Sequence, residues 1–317
     1  MQYKLLGRTG LRVSELFLGM MRFGHQTDPA EARKIVDLYA EAGGNVLDTA
    51  DYYDLGGSEL VTGQAIEGRR DRFVLASKYT LSRDASDPNA AGNHRKNLTL
   101  ALEQSLQRLG TDYLDLYWVH LWDRHTPIEE TMRALDDAVR AGKVLYVGIS
   151  DAPAWVVARG NTLAEWRGWT PFAGLQVPYS LLNRDIEREL LPMAESLGLS
   201  VAAWATLAHG SLAGRSDAAP DSPEGKVIEA VREVAAKVGA TPSQVAIAWT
   251  MAKSSSVHPI LGATRVESLR DNLGALDVQL PPDAIARLEA ATGFVRGFPS
   301  DFIEGALPEV LGTSHLP

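Results

Sequence analysis

The sequence contains no cysteine in its 317 residues, which excludes a disulfide framework and a thiol nucleophile. It also lacks any apolar run approaching the roughly 20 residues that a membrane-spanning helix needs. The first ten residues, MQYKLLGRTG, do not contain the apolar stretch of a secretory signal peptide. From these absences we expect a cytoplasmic protein that does not associate with a membrane.

An excess of basic charge is missing too. Lys and Arg total 31 against 40 Asp and Glu, so the formal net charge is −9. Because nucleic-acid binding requires a basic face, we expect no nucleic-acid partner. The sequence has no G-x-G-x-x-G motif, and Gly142-Lys143 and Gly225-Lys226 are each followed by valine, which excludes a Walker A motif. A dinucleotide would therefore have to be bound by some other fold than a Rossmann module.

Short apolar runs alternate with helical patterns along the whole chain. Eight runs predict strands: Leu16–Met21, Asn45–Ala50, Phe73–Lys78, Tyr113–His120, Val144–Ser150, Phe172–Val177, Leu199–Ala205 and Val257–Gly262. Seven segments predict helices: Glu31–Ala42, Asn93–Leu109, Pro127–Ala141, Pro153–Trp166, Asp185–Leu197, Glu224–Val238 and Pro242–Lys253. This alternation predicts an α/β fold, a (β/α)8 TIM barrel formed by residues 1–317 as a single domain.

Two segments outside this alternation also have predicted places. Residues Tyr3–Val13, with Gly7 and Gly10, predict an N-terminal β-hairpin that closes the barrel bottom. The longest irregular stretch, Thr206–Pro223, follows the seventh predicted strand. Because the sites of such barrels lie at the C-terminal ends of the strands, we expect this loop to be functional.

Polar residues end three successive predicted strands. Asp48, Lys78 and His120 end the second, third and fourth strands. Side chains alternate between the two faces of a strand, and each of these residues continues the row of apolar residues before it. One strand-end residue could simply be solvated, but three on neighbouring strands predict a site at the barrel mouth.

A tyrosine beside Asp48 gives these residues a chemical use. The phenol of Tyr53, with an ordinary pKa of about 10, is a poor acid near neutrality. We expect the Lys78 ammonium to lower that pKa, Asp48 to hold the lysine, and His120 to share a proton or orient a carbonyl oxygen. Such a set can protonate an oxygen that becomes an alkoxide. The other half of that reaction is a hydride, which implies a nicotinamide cofactor.

Several segments are similar to the signatures of aldo-keto reductases. LDTADYYDLGGSE, VLASK and LDLYWVH resemble the segments with the family's catalytic residues, which match Asp48, Tyr53, Lys78 and His120. GKVLYVGISD, AWATLAHGSLAGR and ILGATRVESLRDN resemble its cofactor-binding segments. The resemblance is closest to the bacterial and potassium-channel β-subunit branch. It implies that the protein uses NADPH, with NADH also possible, to reduce aldehydes or ketones to alcohols, and that Tyr53 is the proton donor.

The resemblance also implies which residues bind the cofactor. Besides Asp48, they are Gly19, Met20, Ser150, Asp151, Gln176, Trp204, Leu207, Gly210, Arg215, Gly262, Thr264, Arg265, Ser268 and Asn272. Trp204 would stack on the nicotinamide, and Arg215 would help to hold the pyrophosphate. Thr264 would cap the helix after the last strand or donate to the 2′-phosphate of NADPH. Arg265, or alternatively Arg270, would bind that phosphate.

The substrate is expected to be a small carbonyl compound. Its pocket would be formed by Met21, Tyr53, His120 and Trp122. The tail from Gly293 onward could add an apolar wall to this pocket or pack on the barrel.

Three other functions remain open. A regulatory or redox-sensing barrel would bind nucleotide with little turnover. A metal hydrolase would need ligands at the strand ends; His120 and His125 are the nearest histidine pair, and we expect no metal site. A retaining glycosidase would need two carboxylates, for which Asp48 and Asp151 are candidates.

Overall fold

The computed structural model describes residues 1–214 and 216–312. Eight parallel strands close into a barrel in chain order, and the last is hydrogen-bonded to the first. They are β3 (Phe17–Gly19), β4 (Val46–Asp48), β5 (Val74–Tyr79), β6 (Leu114–Val119), β7 (Val144–Ser150), β8 (Phe172–Pro178), β9 (Ser200–Trp204) and β10 (Val257–Gly262). The predicted (β/α)8 barrel is confirmed, and β7 and β10 have the bounds that the sequence predicts.

The barrel interior is a small core of its own. Its buried apolar members are Leu6, Val13, Phe17, Val46, Val74, Ala76, Leu116, Trp118, Ala173, Ala202 and Ile260. The apolar residues that precede Asp48, Lys78 and His120 at two-residue spacing are all among them, so the predicted inward rows are confirmed. The large Trp118 fits because Gly148 has no side chain: a Cβ there would lie 2.3 Å from the indole ring.

The N-terminal hairpin closes the bottom of this core, as predicted. Its strands, β1 (Tyr3–Leu5) and β2 (Arg12–Ser14), pair antiparallel. Leu6, which directly follows β1, and Val13 in the middle of β2 belong to the interior core. The Gly7 N–H donates to Ser200 Oγ at 2.9 Å, and Ser200 begins β9, which fixes the hairpin at the N-terminal ends of the strands.

Helices cover the outside of the barrel. They are α1 (Pro29–Glu41), α2 (Gly57–Ala65), α3 (Arg95–Leu109), α4 (Ile128–Arg140), α5 (Ala154–Arg167), α6 (Leu190–Leu197), α7 (Pro223–Val238), α8 (Pro242–Ala252), α9 (Val266–Leu273), α10 (Pro282–Thr292) and α11 (Ser300–Leu311). The seven predicted helices correspond to α1 and to α3–α8. Among the described helices, none is long and apolar enough to cross a membrane.

One predicted helix is wrong in its first half. Asp185–Glu187 forms a separate 3-10 turn, and α6 begins only at Leu190. Across this turn the Arg184 guanidinium contacts Glu187 through Nε at 2.7 Å and Nη2 at 2.8 Å. This pair connects Arg184, which precedes the turn, to Glu187, its last residue. The predicted loop after β9 contains a further short helical turn, Ala208–Ala213.

Candidate active site

Four predicted catalytic residues meet at the C-terminal end of the barrel. Asp48 ends β4, Lys78 is the penultimate residue of β5, and His120 directly follows β6. Tyr53 begins the short turn Tyr53–Gly56 that leads from β4 into α2. The strands bring the first three together because neighbouring parallel strands end at the same edge of a barrel.

A buried ion pair lies at the centre of the site. Lys78 Nζ is 2.5 Å from Asp48 Oδ2, and the lysine is fully buried. Burying two charges is costly unless further hydrogen bonds satisfy them. Lys78 Nζ also donates to the Thr49 carbonyl at 2.8 Å, and Gln176 Nε2 donates to Asp48 Oδ1 at 3.1 Å. The ammonium is thereby fixed in one position.

The phenol of Tyr53 lies between the ammonium and the imidazole. Lys78 Nζ is 4.8 Å from the centroid of the Tyr53 ring. The ring centroids of Tyr53 and His120 are 5.6 Å apart, and their planes are nearly perpendicular at 85°. A carbonyl oxygen placed at the phenol could therefore also contact the histidine.

The pKa of Tyr53 differs from the sequence-based expectation. Burial raises this pKa above its ordinary value, and Lys78 lowers it only in part, while Asp48 raises it further. Burial also opposes the charge on Lys78, but Asp48 and Tyr53 outweigh that effect and the pKa of the lysine is raised. The prediction of a net lowered tyrosine pKa is therefore wrong, although the lysine acts in the predicted direction.

His120 is a neutral imidazole in this site. Burial and, to a lesser degree, the Lys78 ammonium lower its pKa to about 3. It therefore holds no charge near neutrality, and it acts as a hydrogen-bonding group rather than as an imidazolium acid. Within residues 1–214 and 216–312, its Nδ1 atom has no hydrogen-bond partner.

The predicted nicotinamide-binding residues line the neighbouring strand ends. Ser150 and Gln176 are buried at the ends of β7 and β8. Asp151 accepts a hydrogen bond from Trp204 Nε1 at 3.3 Å, and burial raises the pKa of this aspartate. Asp151 and Ala205 have left-handed backbone angles, φ 46° and 54°, which non-glycine residues rarely adopt and which often mark functional sites. These turns leave the Trp204 side chain half-buried at the mouth.

The predicted phosphate-binding loop after β9 is only partly described. Leu207 precedes the turn Ala208–Ala213, and Gly210 lies within it with φ 106°. Both are half-buried. Arg215 lies outside the described residues, so its expected contact with a pyrophosphate stays a prediction.

At the start of α9 the structure corrects one expectation. The N-cap residue is Arg265, and Thr264 does not cap the helix; its carbonyl accepts from Thr27 Oγ1 at 3.4 Å. The Val266 N–H is instead bound by Glu31 Oε1 at 3.0 Å. Arg265 is exposed and lies in the short connection between β10 and α9.

The other residues predicted to bind the adenosine end of the cofactor lie at the end of β10 and on α9. Gly262 ends β10 and is exposed, and a Cβ there would meet nothing within 4 Å. Ser268 is half-buried on α9, while the buried Asn272 donates from Nδ2 to the Gly262 carbonyl at 3.3 Å. Asp271 is held by Thr241 Oγ1 at 3.0 Å and Gln244 Nε2 at 3.1 Å, so its carboxylate is engaged with α8.

At the end of β3 the two neighbours Gly19 and Met20 differ. Gly19 is half-buried and pairs with Asp48 on the adjacent strand β4, which brings its backbone to the site. The Met20 side chain is fully buried in the larger apolar core, which includes residues of the strands and of the surrounding helices. Only the backbone of Met20 can therefore line a cofactor.

Apolar side chains stand around the mouth. Met21 and Trp122 were both predicted as pocket residues: Met21 is exposed, and Trp122 is half-buried. Trp122 packs edge-to-face against Trp155, with ring centroids 5.4 Å apart. Trp155 is 59% exposed in the first turn of α5, and it is not among the pocket residues predicted from the sequence. The feature of the sequence that could have identified Trp155 is an aromatic residue in the first turn of a predicted helix that follows a barrel strand.

A comparison with protein-family models matches residues 15–292 to the Aldo/keto reductase family. The chain belongs to this family. The match covers every element from β3 to α10, including the four predicted catalytic residues described above. The resemblance seen in the sequence is confirmed, and the aldo/keto reductase fold and the expectation of an enzyme of carbonyl reduction are confirmed with it.

Curated relatives of this aldo/keto reductase are fungal. The chain is 40% identical to the norsolorinic acid reductase stcV of Emericella nidulans, over 93% of the chain and 82% of that protein. It is 37% identical to an aryl-alcohol dehydrogenase, NADP(+), of Phanerodontia chrysosporium, over 92% and 85%. It is 34% identical to the putative aryl-alcohol dehydrogenase AAD14 of Saccharomyces cerevisiae, over 95% and 89%. The predicted placement in the bacterial and potassium-channel β-subunit branch is not supported.

Proposed function

We propose that this aldo/keto reductase reduces an aldehyde or ketone to an alcohol with NADPH, and that Tyr53 donates the proton. The observation that carries the proposal is the buried Lys78–Asp48 pair beneath the Tyr53 ring, with a neutral His120 against its edge. Nucleotide binding alone does not require a phenol packed against a buried ammonium, whereas proton transfer does.

Each of the four residues has a distinct task. Tyr53 gives its proton to the carbonyl oxygen as negative charge develops there. Lys78 stabilises the phenolate that remains, because its raised pKa keeps it charged. Asp48 fixes the ammonium, and His120, being neutral, orients the carbonyl oxygen without competing as an acid. NADPH, when bound, supplies the hydride.

The strand ends beside the four residues fit a nicotinamide. Trp204 offers a half-buried aromatic face for a flat heterocycle, and Asp151 holds its indole N–H. The Ser150 hydroxyl and the Gln176 amide can bind a carboxamide, and the Asp151 carboxylate, when ionised, can accept from its NH₂ group. We infer that these residues, with the Gly19 backbone, hold the reactive end of the cofactor.

The start of α9 and the loop after β9 are proposed for the other end of the cofactor. Arg265 is exposed and can form two hydrogen bonds to a 2′-phosphate. Thr264 and Ser268 can donate to the same group, and Gly262 leaves open space beside them. A relative named as an NADP(+) aryl-alcohol dehydrogenase supports this choice. Leu207, Gly210 and Arg215 are proposed to hold the pyrophosphate, and Asn272 the adenine edge.

The substrate is proposed to be an aromatic carbonyl compound. Trp122 and Trp155 form an aromatic corner at the mouth, and Met21 adds a flexible apolar side chain. The relatives are named as aryl-alcohol dehydrogenases and norsolorinic acid reductases, which agrees with an aromatic substrate.

Two measurements test the proposal. Quenching of tryptophan fluorescence during titration with NADPH and with NADH reports binding and preference. Oxidation of the bound cofactor is then followed with a panel of aromatic and aliphatic aldehydes. Tight binding of NADPH with no oxidation by any aldehyde would instead favour the alternative, a nucleotide-binding regulatory barrel.

A further inference from the structure

The turn that presents Tyr53 is conformationally costly. Asp54 and Leu55 have left-handed backbone angles, φ 52° and 49°, and Gly56 follows with φ 95°. Left-handed conformations cost side-chain-bearing residues on the order of 1 kcal/mol or more each, so they persist only where the surroundings impose them. Contacts on either side of this turn must therefore hold the phenol in place.

The contact before the turn is a buried acid, Asp51. It is 1% exposed, and its Oδ2 lies 3.4 Å from Arg83 Nε. The geometry is that of an ion pair without a hydrogen bond, since neither atom has a hydrogen-bond partner in the described chain. Arg83 is itself held from α3, by Asn97 Oδ1 at 2.5 Å and by Gln104. The start of the turn is thus tied to the loop after β5, the strand of Lys78.

The contact after the turn is a second buried acid, Glu59. It accepts from Arg108 Nε at 2.6 Å and from Ser77 Oγ at 2.5 Å. The Arg108 side chain crosses directly over the turn, because a Cβ on Gly56 would lie 2.6 Å from its Cδ. Arg108 belongs to α3 and Ser77 precedes Lys78. Both ends of the turn are therefore tied to the elements that position the lysine.

The Asp51 pair is held at a cost to the fold. Burial, with a further contribution from Glu59, raises the pKa of Asp51 to about 7, while Arg83 and Arg108 lower it. Within the described residues, the buried Tyr117 hydroxyl on β6 is a further titratable group close enough to interact with Asp51. A carboxyl whose pKa is higher in the folded protein than in the unfolded one destabilises the fold when it ionises. A neutral residue would avoid this cost at a pH at which Asp51 is ionised.

We propose that Asp51 is a positioning residue of the reaction: its buried carboxylate, paired with Arg83, holds the Tyr53 turn so that the phenol stays over Lys78. Asp51 does not touch substrate or cofactor; it acts through the backbone two residues before Tyr53. The inference rests on the proposed function, because it assumes that Tyr53 is the proton donor.

The test compares wild type with Asp51→Asn, which keeps the shape of the side chain and removes its charge. We expect kcat for aldehyde reduction to fall about 10- to 100-fold, as a misplaced reacting group does. NADPH affinity should stay within twofold, and the midpoint of thermal unfolding at pH 8 should stay equal or rise. Wild-type kcat should also increase through about pH 7 as Asp51 ionises, and the variant should lack this increase.

The matched control is Asp115→Asn. Asp115 is another buried acid paired with arginine, Arg70 Nη2 at 2.8 Å, but it lies near the start of β6 at the opposite end of the barrel. This control should lose stability without losing kcat. Should Asp51→Asn not fold, Arg83→Gln is expected to lower kcat similarly and to move the pH-dependent increase above pH 7, because Arg83 lowers the pKa of Asp51.

A second readout does not require turnover. With fluorotyrosine incorporated, the ¹⁹F resonance of residue 53, assigned through Tyr53→Phe, should shift or broaden in Asp51→Asn. An active wild type together with an unchanged kcat, pH profile and resonance in the folded variant would overturn the role of Asp51 alone. An inactive wild type would instead count against the proposed function, while the resonance would still decide whether Asp51 positions the phenol.

Discussion

Lys78 influences every other residue of the catalytic set. It pairs with Asp48 at 2.5 Å, lies 4.8 Å from the Tyr53 ring centroid, and lowers the pKa of both Tyr53 and His120. A fully buried ammonium has these effects because low-polarity surroundings screen its field poorly. Replacing it should therefore do more harm than replacing its partner.

We expect Lys78→Met to lower kcat by at least about 100-fold, because Tyr53 then loses its cationic neighbour and its pKa rises further. Asp48→Asn should lower kcat less, since the ammonium keeps its charge and loses only its anchor. Steady-state rates across pH, measured at saturating NADPH, compare the two variants. If Lys78→Met kept the wild-type rate and pH profile, the ion-pair account would be wrong.

Tyr53→Phe should lower kcat by at least about 100-fold and leave NADPH affinity near the wild-type value, because the phenol proton acts mainly in the transition state. Tyr52 is the matched control: it is adjacent, 46% exposed, and on the predicted scheme has no role. Turnover that survived in Tyr53→Phe but was lost in Tyr52→Phe would reverse the assignment.

Residue positions at the strand ends could be predicted, but their ionisation could not. The two-residue period of a strand was enough to place Asp48, Lys78 and His120 in the barrel mouth. The direction of the Tyr53 pKa was predicted wrongly because it depends on burial, which no local pattern reports. Asp51 was overlooked for the same reason.

Among the structural elements, the junction of β10 and α9 is proposed to set cofactor preference. Arg265→Ala should weaken NADPH binding by about 1.5–3 kcal/mol, typical of a hydrogen bond to a charged group, and barely change NADH binding. Fluorescence titration with both cofactors measures this difference.

Arg270→Ala tests the alternative ligand, because Arg270 lies five residues further along the chain, on α9, and is exposed too; a larger loss of NADPH binding there than in Arg265→Ala would assign the phosphate to Arg270. Glu31, at the N-terminus of α9, opposes an anion there, so an arginine is needed to offset it. Equal losses for the two cofactors in Arg265→Ala, or a wild-type preference for NADH, would refute the assignment.

Among the helices that the hydrophobic pattern missed are α2 and α11. The inner face of α2 buries Ser58, Glu59 and Thr62, so hydrophobic periodicity could not reveal it. In α11 no residue is buried, and its apolar side chains are exposed, as Phe302 at 68% shows. The left-handed residues in the Tyr53 turn were equally hidden, because Asp54 and Leu55 are not glycines.

At the scale of the whole molecule, close packing in the barrel interior contributes to the free energy of unfolding. Gly148→Ala should lower the free energy of unfolding by about 1–3 kcal/mol, because the new Cβ would lie 2.3 Å from the Trp118 ring. Denaturant unfolding measures the change. Gly10→Ala is the control: a Cβ there meets nothing within 4 Å, so its effect should stay within about 0.5 kcal/mol. Equal effects of both variants would contradict the packing described for the interior.

The central claim is that the chain moves a hydride from NADPH to a carbonyl carbon. The most direct measurement uses NADPH deuterated at the transferable position of the nicotinamide, an aromatic aldehyde, and mass spectrometry of the alcohol. We predict one deuterium on the carbinol carbon with the wild type, formed at least about 100-fold more slowly with Tyr53→Phe. Bound NADPH with no deuterium in the alcohol from any aldehyde tested would contradict the account.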